Sequence, residues 1–181
     1  MKEIKSKCKR CKSDYCSQGL KGINVYSRKL LFTAHMIDER IFQEDLLGQI
    51  GHHRAFLMSA SGKALANILS HEQLRLTLED IYFTNIFKGF FKNRKPKARD
   101  YRACLAEFEK QVKQFAPRLI VLMGSYAFNS VFPEENFDDN LGRQFLYQDT
   151  PTLVTYHPST ILKMPMYHRL RLVDVIKSSL N

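Results

Sequence analysis

The sequence predicts an α/β fold in which a parallel sheet is covered by helices on both faces. The chain has 181 residues, 44% of them apolar, which fits one core, since single cores usually take about 100 to 200 residues. Short apolar runs, typical of buried strands, alternate with segments in which apolar residues recur every three or four positions, as on amphipathic helices. Strands that alternate with helices in this way favour a parallel sheet.

The first half of the chain contains two predicted strands and a predicted helix. Residues 29–37 predict a buried strand, and the irregular stretch that follows, with glycines and histidines at 48–54, is typical of a functional loop. Residues 81–84 are a β-branched and aromatic run that predicts a second strand ending at Asn85. Between them, a helix is predicted from about Ser61 by apolar residues at helical spacing, namely Leu65, Ile68 and Leu69.

The second half repeats the alternation. The period of the apolar residues predicts a helix over 100–115, which Pro117 ends. Residues 119–123 predict a buried strand followed by a glycine turn and a short helix, and residues 152–156 predict another strand. A last helix is predicted from Leu170, Val173 and Ile176.

A polar or small residue follows each predicted strand. In open parallel sheets, ligands bind beyond the carboxyl ends of the strands. The residues at those ends are Asp38, Asn85, Gly124 and His157.

The charge balance indicates a polyanionic partner. Twenty-eight Lys and Arg against 18 Asp and Glu give a net charge of +10, which favours nucleic acid first and an anionic membrane surface second. The longest purely aliphatic run, residues 119–123, is far shorter than the roughly 20 residues needed to span a bilayer. The start of the chain has no apolar region of the kind found in secretory signals, so we expect a cytoplasmic protein.

Three stretches carry a resemblance to a known family. They are Ile-Tyr-Phe-Thr-Asn-Ile-Phe-Lys at 81–88, Pro-Arg-Leu-Ile-Val-Leu-Met-Gly at 117–124 and Thr-Tyr-His-Pro-Ser-Thr-Ile-Leu-Lys at 155–163. With Asn-Arg-Lys-Pro at 93–96, they resemble the uracil-DNA glycosylase superfamily, most closely its iron-sulfur type, over roughly residues 80–180. Upstream, Ile-Asp-Glu-Arg-Ile at 37–41, followed by Glu44-Asp45 and Gly48, is similar in degraded form to the family's Gly-Glu-Ala-Pro-Gly motif. The resemblance implies a three-layer α/β/α sandwich with a short, mostly parallel central sheet.

The resemblance also implies an active site. Cleaving an N-glycosidic bond leaves positive charge on the sugar and negative charge on the departing base, so both must be stabilised and a water supplied. By resemblance, His157 donates a hydrogen bond to the base and Asp38 positions the water, with His35 and Glu39 as substitutes if the alignment shifts. Read singly, His157 is typical of a turn residue and Asp38 of a helix cap.

Base recognition and DNA binding are implied by further positions. Asn85 can match the polar edge of uracil with its amide, and Phe56 is the expected stacking partner, with Phe42 as an alternative. Taken singly, Asn85 is typical of a residue that caps a turn or a helix, and Phe56 of a residue packed in the core. Contacts with the DNA backbone are expected from Gly124, Ser125, Ser159, Thr160, Leu162 and Lys163. A basic segment interleaved with aromatic residues extends the expected DNA surface; its cations are Lys88, Lys92, Arg94, Lys95, Lys97, Arg99 and Arg102.

The four cysteines suit a metal site better than disulfides in a reducing compartment. The family binds a 4Fe-4S cluster through an N-terminal Cys-x-x-Cys, a cysteine after the lysine at position 88 and one in the next helix. Here the third position is Gly89. The resemblance therefore leaves a 4Fe-4S cluster, zinc or no metal as open readings for Cys8, Cys11, Cys16 and Cys104. We expect one domain over residues 1–181, with residues 1–20 as its cysteine-containing segment.

The resemblance predicts a monomeric, monofunctional DNA glycosylase that flips out uracil or a modified pyrimidine and leaves an abasic site. One alternative is specificity for hypermodified cytosine in phage DNA, for which the loop at 48–54 would make room. Another is a catalytically inactive DNA-binding relative. An RNA-binding module stabilised by the cysteine site is a more distant reading.

Overall fold

The computed structural model describes residues 5–6, 15–17, 19–36, 58–91, 94, 97–161 and 163–180. The strands of these residues are β1 (Lys5–Ser6), β2 (Tyr15–Ser17), β3 (Leu20–Lys21), β4 (Leu30–Met36), β5 (Ile81–Phe87), β6 (Gly89–Phe90), β7 (Leu119–Met123), β8 (Gln144–Tyr147) and β9 (Thr150–Thr155). Their α-helices are α1 (Val25–Arg28), α2 (Ala60–Leu69), α3 (Ala98–Phe115), α4 (Ser125–Val131), α5 (Pro158–Ile161) and α6 (Met166–Leu180). Short 3-10 turns cover Leu78–Asp80 and Asp138–Asn140.

The main sheet has six strands in the order β3-β5-β4-β7-β9-β8. The four inner strands are parallel and the two edge strands run antiparallel. The four strands predicted from the sequence are these parallel strands, although β5 continues to Phe87 rather than ending at Asn85.

The edge strand β8 was missed because its hairpin lacks the usual turn signal. The two residues between β8 and β9 are Gln148 and Asp149, both at positive φ (48° and 64°). Two-residue hairpin turns of this kind usually carry Asn-Gly or Asp-Gly, because positive φ is costly for a residue with a side chain. A Gln-Asp pair gives no such cue in the sequence.

Helices cover both faces of the sheet, so the predicted three-layer α/β/α architecture is confirmed. Along β7, Leu119, Val121 and Met123 pack into the core shared with α2 and α6, whereas Ile120 and Leu122 pack into the core shared with α3 and α4. All five residues of β7 are buried, which is the pattern of a parallel strand with no solvent-facing side.

The start of α2 and the end of α3 have identifiable caps. The side chain of Ser59 accepts a hydrogen bond from the Gly62 N–H at the start of α2, the capping that serine favours. Helix α3 ends at Ala116, whose left-handed backbone (φ 46°) is followed by Pro117. The predicted last helix is α6, in which Val173 and Ile176 are buried and Leu170 is 42% exposed.

A second sheet joins the start of the chain to the end of β5. Its three strands lie in the order β1-β2-β6 and are antiparallel. Strand β6 follows β5 after the single residue Lys88. The small sheet therefore connects the cysteine-containing segment to the carboxyl end of a core strand.

Candidate active site

The carboxyl ends of the parallel strands place several predicted site residues at one edge of the sheet. Asn85 of β5 lies opposite Ala34 of β4, and Met123 of β7 lies opposite Thr155 of β9. The chain continues from Met123 into Gly124. Asp38, which follows β4 in sequence, lies outside the described residues.

Gly124 is in close contact with His157. Its N–H donates a hydrogen bond of 2.8 Å to the Thr155 carbonyl, which holds the two strand ends together. A Cβ at position 124 would lie 3.3 Å from the His157 Cβ, and the backbone has φ +92°. Glycine adopts this conformation without strain, so it lets the histidine lie directly beside the end of β7.

The contacts of His157 with Ser159 favour one tautomer. The Ser159 N–H donates to Nδ1 at 3.3 Å, and the Ser159 Oγ lies 2.8 Å from the same nitrogen. A backbone N–H can only donate, so this contact favours the neutral ring with its proton on Nε2. Burial also lowers the pKa of His157 below its usual value, because desolvation disfavours the charged form.

A cavity of about 260 Å³ lies beside His157. Three aromatic lining residues were not predicted: Tyr126, Phe137 and Tyr156. Tyr126 and Tyr156 each adjoin a predicted site residue in sequence, which could have pointed to them, whereas Phe137 lies in a connection with no motif. The full lining is Met123, Gly124, Ser125, Tyr126, Phe137, Tyr156, His157 and Thr160.

Lys88, which was predicted to contact DNA, has a buried side chain. It is 1% exposed, and its ammonium donates hydrogen bonds to the Asn85 carbonyl (2.7 Å) and to Thr84 Oγ1 (3.0 Å). The Thr84 hydroxyl in turn donates to Gln111 Oε1 on α3 at 3.3 Å. Lys88 therefore holds the backbone at Asn85 from inside the protein.

Asn85 is itself nearly buried and stands well apart from His157. Its exposed fraction is 5%, and its strand β5 is three places from β9 in the sheet order. At the usual spacing of about 4.8 Å between strands, that separation is about 14 Å. A base that contacts both side chains must lie above the ends of β4 and β7.

Arg94 is held by an ion pair. Its guanidinium donates to both carboxylate oxygens of Asp100, at 2.6 and 3.3 Å, and lies 3.4 Å from the Phe91 ring centroid. Asp100 is 1% exposed and also accepts the Lys97 N–H at 2.7 Å at the start of α3. The hydrogen bond from Arg94, above all, lowers the pKa of Asp100. The arginine fixes the start of α3, and its side chain is 32% exposed.

The remaining predicted residues divide into exposed ones and ones outside the described range. Ser125, Ser159 and Lys163 are exposed and Thr160 is half-buried. The cations Lys97, Arg99 and Arg102 at the start of α3 are exposed as well. The predicted residues outside the described range are Cys8, Cys11, Asp38, Phe56, Lys92, Lys95 and Leu162, together with the alternatives Glu39 and Phe42.

The fold and the site together define an α/β protein with its ligand site at the carboxyl ends of parallel strands. The profile of the Uracil DNA glycosylase superfamily matches residues 41–180. This is more than half of the chain, which therefore belongs to that superfamily, whose enzymes hydrolyse N-glycosidic bonds. The match includes Asn85, Gly124 and His157 and begins after Asp38.

A relative supports the same assignment over a longer range. A Type-4 uracil-DNA glycosylase of Sulfurisphaera tokodaii is 26% identical over 181 aligned residues, which cover 94% of this chain and 78% of that protein. The predicted resemblance to the superfamily is confirmed.

Within the described part of the chain, no helix is long and apolar enough to cross a membrane.

The burial of Lys88 can be tested by the salt dependence of DNA binding. We expect Lys88→Met to leave the slope of log K against log salt unchanged, because a buried ammonium releases no counterion from DNA. Lys163→Met is the matched variant, and its loss of one phosphate contact should reduce the slope by about 0.9. Binding titrations at several salt concentrations measure both slopes. A reduced slope in Lys88→Met would show that this lysine contacts a DNA phosphate.

The Arg94–Asp100 pair predicts a pH-dependent stability. Asp100→Asn should lower the free energy of unfolding at pH 7 by about 1 to 3 kcal/mol, because it weakens charge-assisted bonds to a buried group. The pKa of Asp100 is lowered in the folded state, so its contribution is present above the unfolded pKa of about 3.9 and is lost as the pH falls through the folded pKa. In urea titrations, the difference in free energy of unfolding between wild type and Asp100→Asn should therefore be smaller at pH 3 than at pH 7. Equal stability of the two proteins at pH 7 would contradict it.

Proposed function

We propose that this protein is a DNA glycosylase that flips a base out of the helix and hydrolyses its N-glycosidic bond, leaving an abasic site. Uracil is the proposed substrate, with a modified pyrimidine as the alternative. The observation that carries the proposal is the neutral His157 at the carboxyl edge of the sheet of a uracil-DNA glycosylase superfamily member. Its Nε2–H is a hydrogen-bond donor that can meet negative charge as it develops on a departing base.

His157 is proposed as the electrophilic residue of the reaction. A neutral imidazole donates a hydrogen bond without itself being consumed as an acid, and its orientation is fixed by the bonds from Ser159 to Nδ1. A donor fixed before the reaction stabilises the developing charge without reorganisation at the moment of bond cleavage. Asp38 remains the proposed carboxylate that positions the attacking water and supports the cationic sugar.

Asn85 is proposed to read the polar edge of the flipped base, which Phe56 would stack against. The Asn85 amide carries both donor and acceptor and so matches the adjacent carbonyl and imide N–H of uracil. The bond from the Lys88 ammonium to the Asn85 carbonyl supports this role, because it fixes the backbone from which the amide projects. Lys88 is thus a positioning residue rather than a DNA ligand.

The proposed DNA path runs over the exposed cations and hydroxyls around this edge. Ser125 and Ser159 are exposed near His157, and Lys163 follows them. Backbone phosphates are the ligands that such groups bind. The net charge of +10 favours the approach of DNA at long range. Gly124, Thr160, Leu162 and the exposed part of Arg94 complete the proposed surface.

We also propose that Cys8, Cys11, Cys16 and Cys104 hold a metal centre, a 4Fe-4S cluster in the first reading and zinc in the second. Four thiolates suit both. Its proposed role is structural, since it would tie the cysteine-containing segment to α3.

A second candidate function is DNA binding without excision. The superfamily match begins at residue 41, so Asp38 falls outside it. A chain that lost this carboxylate would keep the phosphate contacts and lose the reaction.

Excision on defined oligonucleotides decides between the two candidates. Single- and double-stranded DNA with uracil, thymine or hydroxymethylated cytosine is incubated with the protein, and alkali-labile sites are counted. We expect cleavage at uracil, reduced about 100- to 1000-fold by His157→Ala, because one preorganised donor is lost. His71→Ala, beyond the far end of α2, is the matched histidine control and should retain full activity.

The outcomes of this assay are distinct. Cleavage only at the modified cytosine would assign the alternative substrate. Binding without cleavage of any substrate would favour the second candidate.

Asn85→Ala should lower the rate of uracil excision while leaving DNA affinity unchanged.

The neutral state of His157 predicts the pH dependence of excision. The pKa of His157 lies below its usual value of about 6.5, so above that pH the ring is already in the Nε2–H form. The single-turnover rate should therefore be independent of His157 ionisation between pH 7 and 8 and fall only on acidification. NMR titration of the ring locates its pKa directly. A rate that rises as the pH falls through 6.5 would show that the imidazolium is the active form.

A further inference from the structure

We propose that the cavity beside His157 is a second base-binding subsite, which takes the base next to the flipped nucleotide in the DNA strand and stacks it on Tyr126. The inference rests on the proposed function for the position of the flipped base, and it adds a second nucleotide to the substrate. The cavity has a volume of about 260 Å³. Pockets for small molecules usually have about 300 to 1,000 Å³, so this one suits a single base.

The cavity lies apart from the place where the flipped base is proposed to bind. Its lining residues come from the ends of β7 and β9 and from the segments after them, and within the described part of the chain none belongs to β4 or β5. A base read by Asn85 lies at the ends of those two strands, because Asn85 is on β5 and opposite Ala34 of β4. His157 lines the cavity, so the two sites adjoin at this residue.

The walls of the cavity are aromatic. Tyr126, Phe137 and Tyr156 line it, and the rings of Phe137 and Tyr156 meet edge to face with their centroids 6.0 Å apart. Every base has a flat π face that stacks on such rings. A phosphate is bound by cations and N–H groups instead, and no lysine or arginine of the described residues lines this cavity. The walls therefore favour a base over a phosphate.

Two of the three aromatic walls are held in place by the rest of the fold. Phe137 packs on Phe128 of α4, with ring centroids 6.0 Å apart. Tyr156 packs on His168 of α6, with centroids 5.5 Å apart and the rings nearly perpendicular. Both wall residues are half-buried. Side chains that are ordered before binding lose little conformational entropy when a ligand binds, so these walls are ready to receive a base.

The third wall, Tyr126, is 70% exposed and follows Ser125, a proposed DNA contact. An exposed aromatic ring is ordinary by itself, but this one borders a cavity with two further rings. Tyrosine supplies a large and rigid contact area because it has only two side-chain torsions. The hydroxyls of Ser125 and Thr160 line the same cavity, and each can donate or accept a hydrogen bond from the polar edge of any base. The subsite should therefore tolerate different bases.

The first test removes the neighbouring base and needs no variant. Single strands carry one deoxyuridine with fluorine at the 2′ position, which resists hydrolysis because fluorine destabilises the cationic sugar. A base-free tetrahydrofuran nucleotide replaces the neighbour on the 5′ side, the neighbour on the 3′ side or, as a control, a nucleotide near the end of the strand. Fluorescence anisotropy titrations measure the affinities. We expect a loss of about 5- to 150-fold from one of the two neighbouring positions, which is the effect of losing one stacked base.

The second test assigns the effect to Tyr126. Tyr126→Ala should bind the intact strand as weakly as the wild type binds the base-free strand, and removal of the neighbouring base should then cost nothing more, because both changes delete the same contact. Tyr126→Phe keeps the ring and should keep the affinity. The matched control is Tyr26→Ala, which should bind like the wild type. Tyr26 is 63% exposed and lies in α1, just before the start of β4 and thus at the opposite edge of the sheet.

Three results would overturn the inference. They are equal affinity for the intact strand and both base-free neighbours, an unchanged affinity in Tyr126→Ala, and losses from the variant and the base-free neighbour that add. Strands with ordinary deoxyuridine report excision separately. Binding that depends on Tyr126 without cleavage would contradict the proposed function and support the subsite. Cleavage without any effect of the neighbouring base would support the function and contradict the subsite.

Discussion

Burial of the parallel strands on both faces is the constraint on which the rest of this structure depends. Every residue of β5 and β7 is buried, so the polar groups of these strands must find partners inside the protein or lie at strand ends. The inner strands also bury polar side chains: Thr33 and Thr84 lie at the middle of their strands and Thr152 lies near the start of β9, whereas Asn85 and Thr155 lie toward the carboxyl ends. Of these residues, Asn85 and Thr155 lie at the carboxyl edge of the sheet, where Gly124 and His157 also lie side by side.

The same constraint explains which parts could be predicted from the sequence. The apolar run of β7 is typical of a buried strand, and the spacing of the apolar residues in α3 is typical of an amphipathic helix. Both elements were therefore predicted at nearly their true bounds. Strand ends located Asn85, Gly124 and His157 without any tertiary information. Strand β8 and Phe137 could not be found in this way, because neither an edge strand with an unusual turn nor a loop aromatic has a periodic or motif signal.

Lys88 shows why the charge of a residue predicts its place in the fold less well than the apolar pattern around it. In the sequence it opens a run of cations, and a run of cations is typical of a solvated or DNA-binding face. In the structure it is the first residue after a fully buried strand, and its ammonium satisfies a carbonyl and a hydroxyl there. Its distance in sequence from Asn85, three residues, lets the side chain turn back onto the strand end. The ammonium thus holds the backbone carbonyl of Asn85 from inside the protein.

The proposed base-reading residue lies close in sequence to the start of the small sheet. Asn85, Lys88 and Gly89 fall within five consecutive residues, and the small sheet begins where the core strand ends. Pairing of Cys16 with Gly89 fixes the backbone on one side of Lys88, and the core fixes it on the other. Because the Lys88 ammonium bonds to the Asn85 carbonyl, restraint of the small sheet is transmitted to the asparagine by covalent geometry and one hydrogen bond.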